Sequence, residues 1–231
     1  ALPQLREVLA RWWATGLADW LQTSRLRFRF QPVVQLGSPE TLLGFEALLA
    51  LSSGDGGMPP VPDRLIDAAS RACLLGELDQ ASMEGALREA GRLPDGSLLF
   101  INCMPETILA GGLSEQLAGS SREHGRDPTS NVIEINLSQA VRLDAVALTR
   151  ALRALRVAGP KVALDRLDAE PWALDLIGVL EPDYLKIDRS LIHQVHTDPI
   201  RQARLEPMLR ACEQVGATPI AVGIEDGAEG S

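Results

Sequence analysis

Four short apolar segments of this chain each carry an acidic or amide residue where a buried strand would ordinarily hold Val or Leu. They are residues 45–49 with Glu46, 99–102 with Asn102, 132–135 with Glu134 and 162–165 with Asp165. A fifth, residues 184–188, carries Lys186. An isolated carboxylate in a dry strand is costly, so it shifts its pKa, finds a partner or binds a cation. Repetition on successive segments points to one shared site. Three carboxylates and an amide are oxygen donors of the kind that Mg²⁺, Mn²⁺ or Ca²⁺ accept, and Lys186 adds a cation suited to a phosphate. Taken singly, each residue has a plainer reading as a buried side chain bonded to neighbouring backbone.

The segments between them say what must position these groups. Leu5, Val8, Leu9, Trp12, Trp13, Leu17, Trp20 and Leu21 recur at helical spacing and predict a helix over 3–22. Residues 27–34 alternate as a strand, Ser38, Pro39 and Glu40 read as a turn, and 42–51 return as a second strand, so the pair predicts a hairpin. Residues 52–62 are rich in Ser, Gly and Pro and read as a loop. Helices are expected over 62–75 and 77–92, broken near Gly76, then a strand over 98–103. From there helices at 113–123, 138–158, 170–180 and 197–215 alternate with strands at 131–136, 161–165, 184–187 and 218–222. Gly159 and Pro160 stop the long helix, because glycine caps and proline cannot continue it.

Alternating β and α elements with short apolar strands imply a parallel sheet covered by helices. The fold expected is a TIM-like (β/α)8 barrel over 23–231, preceded by a linking or packing helix over 1–22. Seven strands are legible and the last is not, since the sequence runs only nine residues past Val222. Active residues of such barrels lie at the carboxyl ends of strands. Asn102, Asp165 and Lys186 fall at or near those ends, and Glu134 falls in mid-segment.

Composition narrows the functional classes. The 231 residues, 45% of them hydrophobic and 23% charged, suffice for one domain with a real core. A net charge of −9 argues against a nucleic acid polymer as partner, though not against a small anion held by a local cation. No apolar run reaches transmembrane length and the first residues lack a signal-peptide pattern, so a cytoplasmic location is expected. Ala1 in place of Met suggests a fragment or a processed chain. Cys73, Cys103 and Cys212 are far apart and odd in number, which fits a reducing compartment better than a disulfide framework. His124, His193 and His196 make no zinc pattern.

Three ordered motifs carry a family resemblance. Residues 30–34 (FQPVV), 44–49 (GFEALL) and 185–190 (LKIDRS) resemble the EAL domain, named for its Glu-Ala-Leu triplet. The likeness covers about residues 17–226. It implies a modified (β/α)8 barrel with one antiparallel strand. It also implies a bacterial phosphodiesterase that linearises cyclic di-GMP to pGpG with two Mg²⁺ or Mn²⁺ ions, or a degenerate relative that senses or docks. By the resemblance, Glu46, Asn102, Glu134 and Asp165 are metal ligands and Lys186 orders the attacking water. Glu225 matches a second catalytic position, while Gln31 and Leu48 lie near the nucleotide.

The departures decide between mechanisms. Arg166 stands where the family has the second Asp of Asp-Asp-Phe-Gly, and Val222 where it has a Glu. Leu137 replaces a loop-steadying Glu, and Ala50 replaces an Arg that meets a phosphate. Two-ion hydrolysis needs both ions, and one ligand set is broken at two positions. The reading is therefore a degenerate EAL domain, inactive or weak, acting in cyclic di-GMP signalling as a regulatory or protein-docking module. Helix 1–22 would link it to an upstream sensor domain or form a homodimer contact. Mg²⁺ or Mn²⁺ would occupy one residual site or none. The alternatives are an active metal-dependent phosphodiesterase and a metal-free cyclic di-GMP receptor; the plainest is another barrel family whose buried acids satisfy one another.

Overall fold

The computed structural model describes residues 26–35, 38–51, 62–71, 73–140, 143–167 and 171–224. The segment expected as helix 1–22, the loop 52–61 and Glu225 lie outside the described residues.

β1 (Leu26–Gln35) and β2 (Ser38–Leu51) form an antiparallel hairpin, with Gln31 opposite Glu46. β2 already starts at Ser38, paired with Gln35, so residues 38–40 belong to the strand and not to a turn. The register slips at Val33 and Val34, where Leu43 is the extra residue of a bulge. β3 (Leu98–Cys103), β4 (Asn131–Asn136), β5 (Lys161–Leu167), β6 (Tyr184–Ile187) and β7 (Thr218–Ala221) then add in sequence order, each parallel to the one before.

Two layers of apolar contact shape this sheet. On one face Phe100, Val132, Ala163 and Tyr184 pack with Val33, Leu43, Leu98 and Ile220. Every one of the seven strands contributes to that single cluster, so the sheet is curled about it. The Phe100 and Tyr184 rings meet edge-on, 5.4 Å apart. The other face carries Leu99, Ile101, Ile133, Ile135, Val162, Leu164, Leu185 and Ile187 into the main core, against helix residues such as Leu87, Leu117, Leu152, Ile177 and Met208. Strands apolar on both faces are the mark of a parallel sheet wrapped by helices.

The helices are α1 (Pro62–Arg71), α2 (Leu75–Ala90), α3 (Pro105–Ala110), α4 (Leu113–Glu123), α5 (Leu137–Ala140), α6 (Ala145–Val157), α7 (Pro171–Leu180), α8 (Arg189–Ile192) and α9 (Pro199–Val215). The break between α1 and α2 falls at Cys73 and Leu74, not at Gly76. Cys73 has φ +56, and the Leu74 N–H bonds back to Ala69 O at 2.8 Å, closing α1. The helix expected over 138–158 is two: Asp144 starts α6 afresh by accepting the Val146 and Ala147 N–H groups. The short α3 and α8 have too few turns to show a periodicity, and the sequence reading passed over both.

β2 and β3 approach closely at Gly44, which lies in register with Leu98. A Cβ at Gly44 would meet the Leu98 carbonyl oxygen and stand 2.7 Å from Leu98 Cβ. Gly44→Ala should therefore cost about 1–3 kcal/mol of stability, read by urea unfolding. An unchanged midpoint would show that this strand pair has slack.

Candidate functional site at the strand ends

Side chains alternate along a strand, so the residue two beyond an inner-face position returns to that face. Two beyond Phe100, Val132, Ala163 and Tyr184 stand Asn102, Glu134, Asp165 and Lys186. The apolar cluster is thus the floor beneath a polar rim. Glu46 joins it from β2, in register with Phe100.

Lys186 gathers the acids. Its Nζ lies 2.8 Å from Glu46 Oε2, 2.9 Å from Glu134 Oε1 and 3.9 Å from Asp165 Oδ1. The side chains of Lys186 and Glu134 are 4% and 0% exposed. Neither Glu134 oxygen accepts a well-directed hydrogen bond, although both are buried. Burial pushes the Glu134 carboxyl up to about 8; the Lys186 charge opposes this, and Glu46 and Asp165 add to it. Burial works against the Lys186 charge, but Glu134, Glu46 and Asp165 outweigh it and raise the lysine.

The remaining candidates stand further out. Asn102 is in register with Glu134 but exposed, and Gln31 faces Glu46 but is also exposed. Leu48 and Ala50 continue the Glu46 face of β2, half-buried and paired with Arg29 and Arg27. Val222 is half-buried just past β7, its N–H donating to Ile187 O. Leu137 is fully buried at the start of α5 within the helix-facing core. Arg166 sits in a β5 bulge between Leu164 and Leu167, with φ +56, and is exposed. An unbroken strand would turn Arg166 into the apolar helix layer; the bulge keeps its guanidinium in water.

One rim residue and one beneath the rim have no counterpart in the sequence analysis. Asn136 follows Glu134 on the same face, in register with Asp165, and its Oδ1 accepts both the N–H and the hydroxyl of Ser138. The Glu134 alternation was the available signal. Asp79, on α2, lies below the rim beside the end of β3, and nothing in its local sequence sets it apart.

Comparison with known proteins names the architecture. The sequence matches the EAL domain over residues 14–230. The chain belongs to the EAL domain family. It is 27% identical over 200 residues to the probable cyclic di-GMP phosphodiesterase PdeG of Escherichia coli, covering 85% of this chain and 39% of PdeG. It is 25% identical to BluF, a blue light- and temperature-regulated antirepressor of the same organism, covering 85% of this chain and 47% of BluF. The chain thus spans less than half of either relative. Among solved structures, the calcium and cyclic di-GMP complex of Klebsiella pneumoniae BlrP1 superposes with a TM-score of 0.78 at 28% identity, over 89% of this chain and 50% of that one. The FimX EAL domain of Xanthomonas citri, solved with cyclic di-GMP, has the same fold, with a TM-score of 0.83 at 18% identity over 97% of this chain and 88% of that one. Among the described residues no helix is long and apolar enough to cross a membrane.

The rim side chains are of the chemical kind that a hard cation accepts. They offer carboxylate and amide oxygens, and the buried Glu134 carboxylate has the Lys186 ammonium as its ion-pair partner at 2.9 Å. Among the described residues no three acid, His or Cys side chains form a group placed to hold an ion; the Lys186 ammonium stands where Glu46 and Glu134 converge. Arg166 and Val222 offer no side-chain oxygen for a second ion.

A pH test follows from Glu134. Its folded pKa lies above its ordinary value of 4.5, so the folded chain binds that proton more tightly than the unfolded chain does. The stability contribution is full below about pH 4.5 and lost as pH rises toward about 8. In chelator, the melting midpoint should fall by several degrees over that window, and Glu134→Gln should flatten the fall. Parallel pH curves for both proteins would contradict the assignment.

Proposed function

We propose that this chain is a cyclic di-GMP signalling module that binds one divalent cation, Mg²⁺ or Mn²⁺, and hydrolyses the nucleotide weakly or not at all. Glu46, Asn102, Glu134 and Asp165 would hold that ion. When bound, it would supply positive charge to a phosphodiester oxygen and acidify a water. Lys186, held between Glu46 and Glu134, would keep an ammonium beside the attacked phosphorus, with Glu225 at a further catalytic position. Gln31 and Leu48 would flank the nucleotide.

The observation that carries this reading is the β5 bulge. It presents Arg166, a cation, directly beside Asp165, where the family pattern has a second carboxylate. Val222 removes another carboxylate from the same half of the rim. A guanidinium can stabilise phosphoryl charge but does not generate hydroxide. Released pGpG, assayed with Mg²⁺ and with Mn²⁺, should fall at least about a hundredfold below that from an intact two-ion relative. Robust turnover abolished by Glu46→Ala would overturn the proposal in favour of an active phosphodiesterase.

A second reading, a receptor for cyclic di-GMP that needs no metal, draws support from the same exposed Arg166. Calorimetry in chelator distinguishes it. Under the leading reading, binding is tightened by Mn²⁺ and lost with EDTA; micromolar binding indifferent to EDTA would favour the receptor.

The output would be regulatory, through a protein partner, an upstream sensor domain or a homodimer, in the cytoplasm. BluF, named as an antirepressor, supports a role through contact instead of turnover.

A further inference from the structure

We infer that Asp79, on α2 and outside the rim, is a positioning residue that sets where Asn102 stands. The inference rests on the one-ion reading above. Three observations converge on it.

The turn after β3 lacks a cap of its own. Met104 occupies the residue before α3 with extended backbone, φ −73 and ψ 138, and its side chain makes no capping bond. The carboxylate that serves this turn comes from 25 residues away. Asp79 Oδ2 accepts the Met104 N–H at 2.7 Å and the Cys103 thiol at 3.4 Å. One carboxylate therefore ties down donors on the two residues that immediately follow Asn102.

Asp79 itself cannot drift. It is 9% exposed and lies on a helix whose neighbours Leu78, Met83, Ala86 and Leu87 are locked in the core. Asn102 has no such anchor. It is exposed, and its own position depends on the β3 backbone, where it lies in register with Glu134. A buried acid with two hydrogen-bond donors fits a fixed strut. Supports of this kind, one step removed from the ligand, typically change metal affinity ten- to a hundredfold.

A helix cap that only stabilised α3 would look the same in a melting curve, so the test reads the ion. Mn²⁺ affinity is measured by electron paramagnetic resonance on folded protein, at a temperature below each variant's melt, for the unaltered chain, Asp79→Ala, Asp79→Asn, Asn102→Ala and the double variant Asp79→Ala/Asn102→Ala. The expected result is about a tenfold loss for Asp79→Ala. Asp79→Asn, which keeps an oxygen for the Met104 N–H, should recover most of it. The double variant should bind no more weakly than Asn102→Ala alone, because both changes remove the same contact. Unchanged Mn²⁺ affinity in Asp79→Ala, or losses that simply add, would overturn the positioning role and leave a cap. Should the unaltered chain bind no Mn²⁺, the one-ion reading itself fails, and this inference with it.

Discussion

The site is organised around one buried ammonium facing three acids. Lys186 reaches the rim from β6, the Glu134 carboxylate from β4 and Glu46 from β2, above a floor of Phe100, Val132, Ala163 and Tyr184. Each charge alone would be expensive there. Together they offset one another: Lys186 Nζ stands 2.8 Å from Glu46 Oε2 and 2.9 Å from Glu134 Oε1. This cluster is where the proposed ion would be held. It requires a curled sheet, because only curvature brings β2, β4 and β6 within reach of one Nζ.

Under the proposed reading, one side of this arrangement departs from the family pattern and the other keeps it. The retained acids all lie within 3.9 Å of Lys186. The altered positions, Arg166 and Val222, lie at or just past the ends of neighbouring strands and do not enter the ion pairs. Arg166 is accommodated at the cost of a bulge and a left-handed backbone at a residue other than glycine. A local change of this kind rewrites chemistry at the rim without touching the floor, which is why fold and function can part company in such a barrel.

Much of the fold was legible because its strands are short and apolar between helical periodicities. β3 to β6 fall where the pattern put them, and the β1–β2 hairpin shows in the Phe28 and Phe30 alternation. The polar residue in each strand also marked the rim, since a two-residue period carries Glu134 and Lys186 to the same face as Val132 and Tyr184. What the pattern could not reveal was tertiary. The helix break at Cys73 depends on a backbone bond to Ala69, and the split within 138–158 depends on the Asp144 cap. The β5 bulge has no signature in Asp165 and Arg166 themselves. Asp79 was invisible for a related reason: its partners lie 24 and 25 residues away, and local sequence carries no trace of them.

Under the proposed reading the rim holds one cation and not two. Anomalous diffraction from a crystal soaked in Mn²⁺ and cyclic di-GMP tests it most directly. The account predicts a single Mn²⁺ peak bounded by Glu46, Asn102, Glu134 and Asp165, with the nucleotide uncleaved. Two fully occupied peaks a few ångströms apart, the second beside Arg166, would contradict it.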